Sequence, residues 1–120
     1  MKTSILILLM LAMSANCLAQ SQEDAIKRPE FYAAESALLL DGLQTRQIAL
    51  QPQLFYENNI ILGIHPSVAM VNVYFGVLVV GNYYLTKNLE PETAKKVNTA
   101  IVTVEAVVII RNILLGILFF

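Results

Sequence analysis

The chain has 120 residues, of which 57% are hydrophobic and 14% charged, with a formal net charge of −1. Soluble domains average about 25% charged residues, so this composition excludes an ordinary soluble globule. No basic tail or patch is available for nucleic acid. The single cysteine, Cys17, excludes an internal disulfide or a cysteine-based metal site.

The N-terminal stretch MKTSILILLMLAMSANCLAQ reads as a signal peptide over residues 1–19. Lys2 supplies the positive start, residues 5–13 the short apolar core, and residues 14–19 a small-residue cleavage region. The apolar core is too short for an ordinary span of about 20 residues. The expected cut follows Ala19. Two rivals are lipid attachment at Cys17, disfavoured by Ser14 and Asn16, and retention of the segment as an anchor.

Residues 20–120 read as a single helical membrane domain. Residues 21–30 are polar. The first predicted helix covers about 31–51 and is rich in helix formers; Pro52 ends it. A connector follows, with Asn58, Asn59 and Gly63 as turn residues. The second predicted helix covers about 66–85, with Pro66 at its start. A polar turn leads to the third, about 92–120, announced by Pro91. The expected fold is therefore all-α: a small transmembrane bundle of two long membrane helices in a hairpin plus one shorter helix.

The second and third helices are long and apolar enough to cross about 30 Å of hydrocarbon. The first carries Glu35, Asp41, Gln44, Arg46 and Gln47. It crosses only with those groups facing protein, or it lies at the interface. Lys87, Lys95 and Lys96 flank the last turn and favour a cytoplasmic position for it. With a cleaved signal, this favours two crossings and a first helix on the outer face or partly sunk.

Helical residues advance about 100° each, so positions seven apart nearly share a face. Asn98, Glu105 and Asn112 form such a stripe, continued by Gly116. His65, Asn72 and Gly76 form another on the second helix, with Tyr83 further along. Glycine there would allow close helix approach. Folding the hairpin near Glu90 sets Tyr83 beside Asn98, Asn72 and Gly76 beside Glu105, and His65 beside Asn112. Intramembrane polar groups usually face the bundle interior, so Glu105 is expected to be inward, hydrogen-bonded and protonated. Arg111 lies about 120° away, and either snorkels to the interface or meets Asp41. The stripe is either helix-to-helix glue or a proton or ion path along Asn98, Glu105 and Asn112.

Asp41 and Thr45 are four apart and share a face of the first helix. Glu57 and His65, with Asp41 as a third ligand, would give a zinc hydrolase its minimal set, but the H-E-x-x-H pattern is absent. His65 before Pro66 reads as a helix-start residue rather than a metal ligand. No glycine-rich phosphate loop or G-x-S-x-G motif occurs. No metal and no cofactor is expected.

The motifs LDGLQTRQIA, YENNIILGIHPS, VNVYF and VEAVVIIRN, spread over about residues 40–117, resemble a group of small, uncharacterised membrane proteins of phage, prophage and bacterial genomes. Those carry a D-x-x-Q-T helix, an E-x-N-P-x-L-G-x-H-P-S connector and a late E followed by H-N. Matching positions are Asp41, Gln44, Thr45, Glu57, Asn59, Gly63, His65, Pro66, Asn72, Glu105 and Asn112. Ile60 stands in place of the family's proline and Arg111 in place of its histidine, which weakens an enzymatic reading. The resemblance implies a membrane protein and brings no substrate.

The expected intramembrane polar network thus comprises Asp41, Thr45, His65, Asn72, Glu105, Arg111 and Asn112. The expected protein resides in the bacterial cytoplasmic (inner) membrane with the lipid bilayer as its partner. Its role is structural or an interaction, and a holin-like homo-oligomer or lysis accessory is the specific version.

Overall fold

The computed structural model describes residues 25–119, and its regular structure there is helical throughout. Helix α1 spans Pro29–Leu50, α2 Val68–Asn88 and α3 Pro91–Leu114. The signal peptide reading of residues 1–19 lies outside the described residues.

Proline fixes two of the three helix starts. Pro29 and Pro91 occupy the first turns of α1 and α3, where the absent N–H has no intrahelical partner to lose. Helix α1 therefore starts two residues before the expected Phe31. Helix α2 starts after Pro66 rather than on it, because the Ser67 hydroxyl accepts from the Met70 N–H at 3.1 Å and caps the helix.

Helix α3 stops short of the chain end. Gly116 adopts φ +80°, a conformation glycine enters without a Cβ penalty. The Gly116 N–H then donates to the Ile113 carbonyl and the Ile117 N–H to the Asn112 carbonyl. This is the Schellman pattern of helix termination. Gly116 therefore does not continue an interhelical stripe, as its spacing had implied. It turns the last residues back toward α1.

Helix α1 packs along its length against both α2 and α3, while α2 and α3 touch each other little. Phe31 meets Tyr83, and Gly42 meets Phe75, so α1 and α2 are antiparallel. Glu30 pairs with Lys95 and Gln44 with Asn112, so α1 and α3 are parallel. The expected hairpin of α2 and α3 is thus held chiefly through α1. At 22 residues, α1 is about 33 Å long, comparable to its neighbours and packed alongside both. An α1 lying apart on the outer face does not fit this packing.

Polarity is inverted relative to a soluble bundle. Among the described residues, seven polar or charged side chains are buried, against eleven apolar ones, of which four are alanine. Outside lie large apolar side chains such as Leu39, Leu43, Val73, Val77, Val107 and Ile110. Helices α2 and α3 are both long and apolar enough to cross a membrane, and little of either is buried in the bundle. The apolar core among the described residues is small: Leu62 from the connector packs with Val71 and Phe75 of α2.

Candidate functional site

The inner face of α1 presents Phe31, Ala34, Leu38, Asp41, Thr45 and Ile48 at alternating three- and four-residue intervals, with Ala37 and Gln44 beside them. Small residues near its start let α2 and α3 come close. The polar side chains of α1 form three successive layers: Glu35 meets Asn82 of α2, and those further on meet α3 and the residues after it.

In the first layer, Asn82 Nδ2 donates to Glu35 Oε1 at 2.8 Å and to Asn98 Oδ1 at 3.0 Å. Asn98 Nδ2 donates in turn to Thr86 Oγ1 and to the Ala94 carbonyl, each at 2.9 Å. All three helices contribute. A buried amide needs such partners because an unsatisfied one costs about 1–3 kcal/mol.

The middle layer holds Asp41 of α1 and Glu105 of α3, neighbouring carboxyl groups placed between the register contacts Asn82–Asn98 and Gln44–Asn112. Thr45 is buried one turn beyond Asp41 on the same face of α1. Asp41 Oδ1 and Glu105 Oε2 are both buried and find no donor among the described residues.

The third layer centres on Gln44, which is fully buried. Its Nε2 donates to the carbonyls of Ile109 and Ile117, at 3.3 and 3.4 Å. Its Oε1 accepts from Asn112 Nδ2 at 3.2 Å. Gln47 Oε1 extends the layer by accepting the Leu118 N–H at 3.1 Å. The reversal at Gly116 delivers two of these four partners.

The polar network expected from sequence is only partly assembled. Asp41, Thr45, Asn98 and Asn112 are buried, and Glu105 is half-buried with its Oε2 inside. Asn72 and Gly76 are exposed, and no atom would crowd a Cβ added at Gly76. They do not face Glu105; Asp41 does. Asn98 meets Asn82 and Thr86 rather than Tyr83, and Asn112 meets Gln44 rather than His65. The common cause is α1, which occupies the space where a direct α2–α3 seam was expected. The close-approach glycine is Gly42, whose Cβ would stand 3.0 Å from Phe75 Cγ. Arg111 does not meet Asp41. Its guanidinium lies against the Asn58 carboxamide, whose oxygen accepts from Nη1 at 3.0 Å once the amide is turned toward it.

The connector motif has a local explanation. Glu57 Oε1 accepts the N–H groups of Asn58 and Asn59, both at 2.9 Å. Asn59 Oδ1 accepts the Ile61 N–H at 2.9 Å, an Asx-type turn. Gly63 takes φ +78° while its N–H donates to the Asn59 carbonyl. Glu57, Asn59 and Gly63 thus shape the loop, and Leu62 anchors it. His65 is exposed, and Glu57, His65 and Asp41 are not gathered: among the described residues no three His, Cys, Asp or Glu side chains are grouped to hold a metal.

Asn82 and Thr86 belong to neither of the stripes read from sequence. Asn82 and Thr86 are four apart, and this spacing was the available signal. No protein-family model matches the chain, and no curated protein or solved structure is detectably similar to it.

Proposed function

We propose that the chain is an integral protein of the bacterial cytoplasmic membrane, of phage or prophage descent, with a structural or interaction role and no reaction of its own. All three helices cross the bilayer together. The polar ladder on the inner face of α1 holds them in register.

The observation that carries this reading is the inverted polarity. Asp41, Gln44, Thr45, Asn82, Thr86, Asn98 and Asn112 are buried while valine, leucine and isoleucine cover the outside. In water that arrangement would expose contiguous apolar surface and hide groups that water would solvate. In lipid both tendencies reverse, because polar groups seek one another and apolar side chains face acyl chains.

Membrane fractionation tests the reading. The protein should remain in the pellet after alkaline carbonate extraction and require detergent for release. Recovery in the carbonate supernatant would overturn it. The holin-like version makes a further prediction: induced expression should release a trapped dye from cells. Dye retention at full membrane accumulation would leave the structural role and remove the pore.

A second reading is favoured by the middle layer. Asn98, Glu105 and Asn112 each occupy one layer of the ladder, an order that suits a proton or ion path. Reconstituted vesicles separate the two: dissipation of a pH gradient without dye leakage supports the path.

A further inference from the structure

The middle layer differs from the other two in the chemistry of its partners, although Asn82 Oδ1 of the first layer is likewise buried without a donor among the described residues. In the first and third layers amide donors face carbonyl or carboxyl acceptors. In the middle layer two carboxyl groups face each other, and ionised carboxylates are acceptors only. Asp41 is 8% exposed. Its Oδ1 and Glu105 Oε2 are buried without a donor among the described residues.

Among the described residues, no positive charge acts on the pair. On α1, the neighbour one turn from Asp41 on the buried face is Thr45, which is uncharged. From the connector Glu57 approaches, adding a like charge. The buried residues of α2 are Val71, Phe75, Asn82 and Thr86, none of them charged. On α3, Arg111 is turned to Asn58. The register is fixed from both sides, by Gln44 on Ile109 and Asn112 and by Asn82 bridging Glu35 and Asn98.

We infer that Asp41 and Glu105 form a proton-binding site, in which one proton shared between the two carboxyls joins α1 to α3. With a proton on either group, its O–H donates to the other, and the repulsion between two close carboxylates disappears. Carboxyl pairs that share a site behave this way because both cannot ionise together. Loss of the proton at alkaline pH leaves two carboxylates facing each other and separates α1 from α3. This goes beyond the structural role proposed above, which requires only that the layer be satisfied.

Infrared spectroscopy of the full chain in lipid films, at neutral pH in sodium-free buffer, tests the site. A protonated-carboxyl band that moves in D₂O is expected. It should be lost in Asp41→Asn and in Glu105→Gln, and retained in Glu35→Gln. If a variant does not fold, carboxyl isotope labelling of aspartate or glutamate in the unaltered protein should still shift the band. Absence of the band from the unaltered protein overturns the proposal. So does its loss only in Glu35→Gln, or its disappearance when sodium is added at constant pH, which would make the occupant a metal cation. Heat resistance should fall as pH rises through the alkaline range in the unaltered protein. It should not do so in Asp41→Asn, where the amide donates to Glu105 without a titrating proton. An identical pH response in both overturns the shared proton.

Discussion

Two charged residues of α3 differ sharply in their surroundings. Glu105 turns inward to Asp41, whereas Arg111 is exposed and rests on the Asn58 amide of the connector. Glu105→Gln should be tolerated for accumulation, because an amide still donates to Asp41. Glu105→Leu strands Asp41 and should destabilise the bundle by about 1–3 kcal/mol, the cost of an unpaired buried polar group. Arg111→Leu should change little. Thermal aggregation in detergent, read alongside membrane abundance, checks all three; an Arg111→Leu protein less stable than Glu105→Leu would contradict the assignment. Gln44 is the sharper case. Its amide holds two carbonyls and Asn112, so Gln44→Leu should cost more than Arg46→Leu, whose side chain is exposed.

At the scale of elements, contact between α1 and α2 depends on one small residue. A Cβ at Gly42 would sit 3.0 Å from Phe75 Cγ and 3.2 Å from its Cβ. These atoms are close to the backbone and cannot swing away cheaply. Gly42→Ala should therefore lower stability by about 1–3 kcal/mol, the usual range for overpacking. Gly76→Ala meets nothing within 4 Å and should be neutral or gain up to about 1 kcal/mol from helix propensity. Melting in detergent compares the pair, and equal shifts would contradict the packing. The two glycines also show what was legible in the sequence. Helix number, order and approximate bounds follow from Pro52, Pro66, Pro91 and the apolar runs, since proline acts locally. The inward face of α3 follows from the spacing of Asn98, Glu105 and Asn112. Which helix that face meets does not follow, because a stripe fixes a direction and not a neighbour. Pairing α2 directly with α3 placed Asn72 and Gly76 inside, where the structure has Asp41. Likewise a polar face on α1 reads as solvated in water and as interior in lipid, and periodicity alone does not separate the two.

The whole molecule has two unlike ends. Lys27, Arg28, Lys87, Lys95 and Lys96 gather where α1 begins and α2 turns into α3, with Arg28 near Glu92 at 3.7 Å and Lys95 near Glu30 at 3.9 Å. Such exposed pairs add little stability, but the concentration of lysine and arginine bears on orientation. The opposite end carries exposed Leu54, Ile60, Ile61, Ile64 and Leu114. If α1 crosses with its neighbours, its start and the α2–α3 turn share one side of the membrane and the connector lies on the other. An export signal would place the start of α1 outside, whereas the basic cluster favours the cytoplasm. Labelling of single cysteines with an impermeant thiol reagent, in a Cys17→Ser background and intact spheroplasts, reads this directly. Lys27→Cys and Glu90→Cys should behave alike and Ile60→Cys oppositely, and whichever pair labels fixes the orientation. Labelling of Lys27→Cys and Ile60→Cys together, with Glu90→Cys protected, would show that α1 does not cross and would contradict the three-helix membrane bundle.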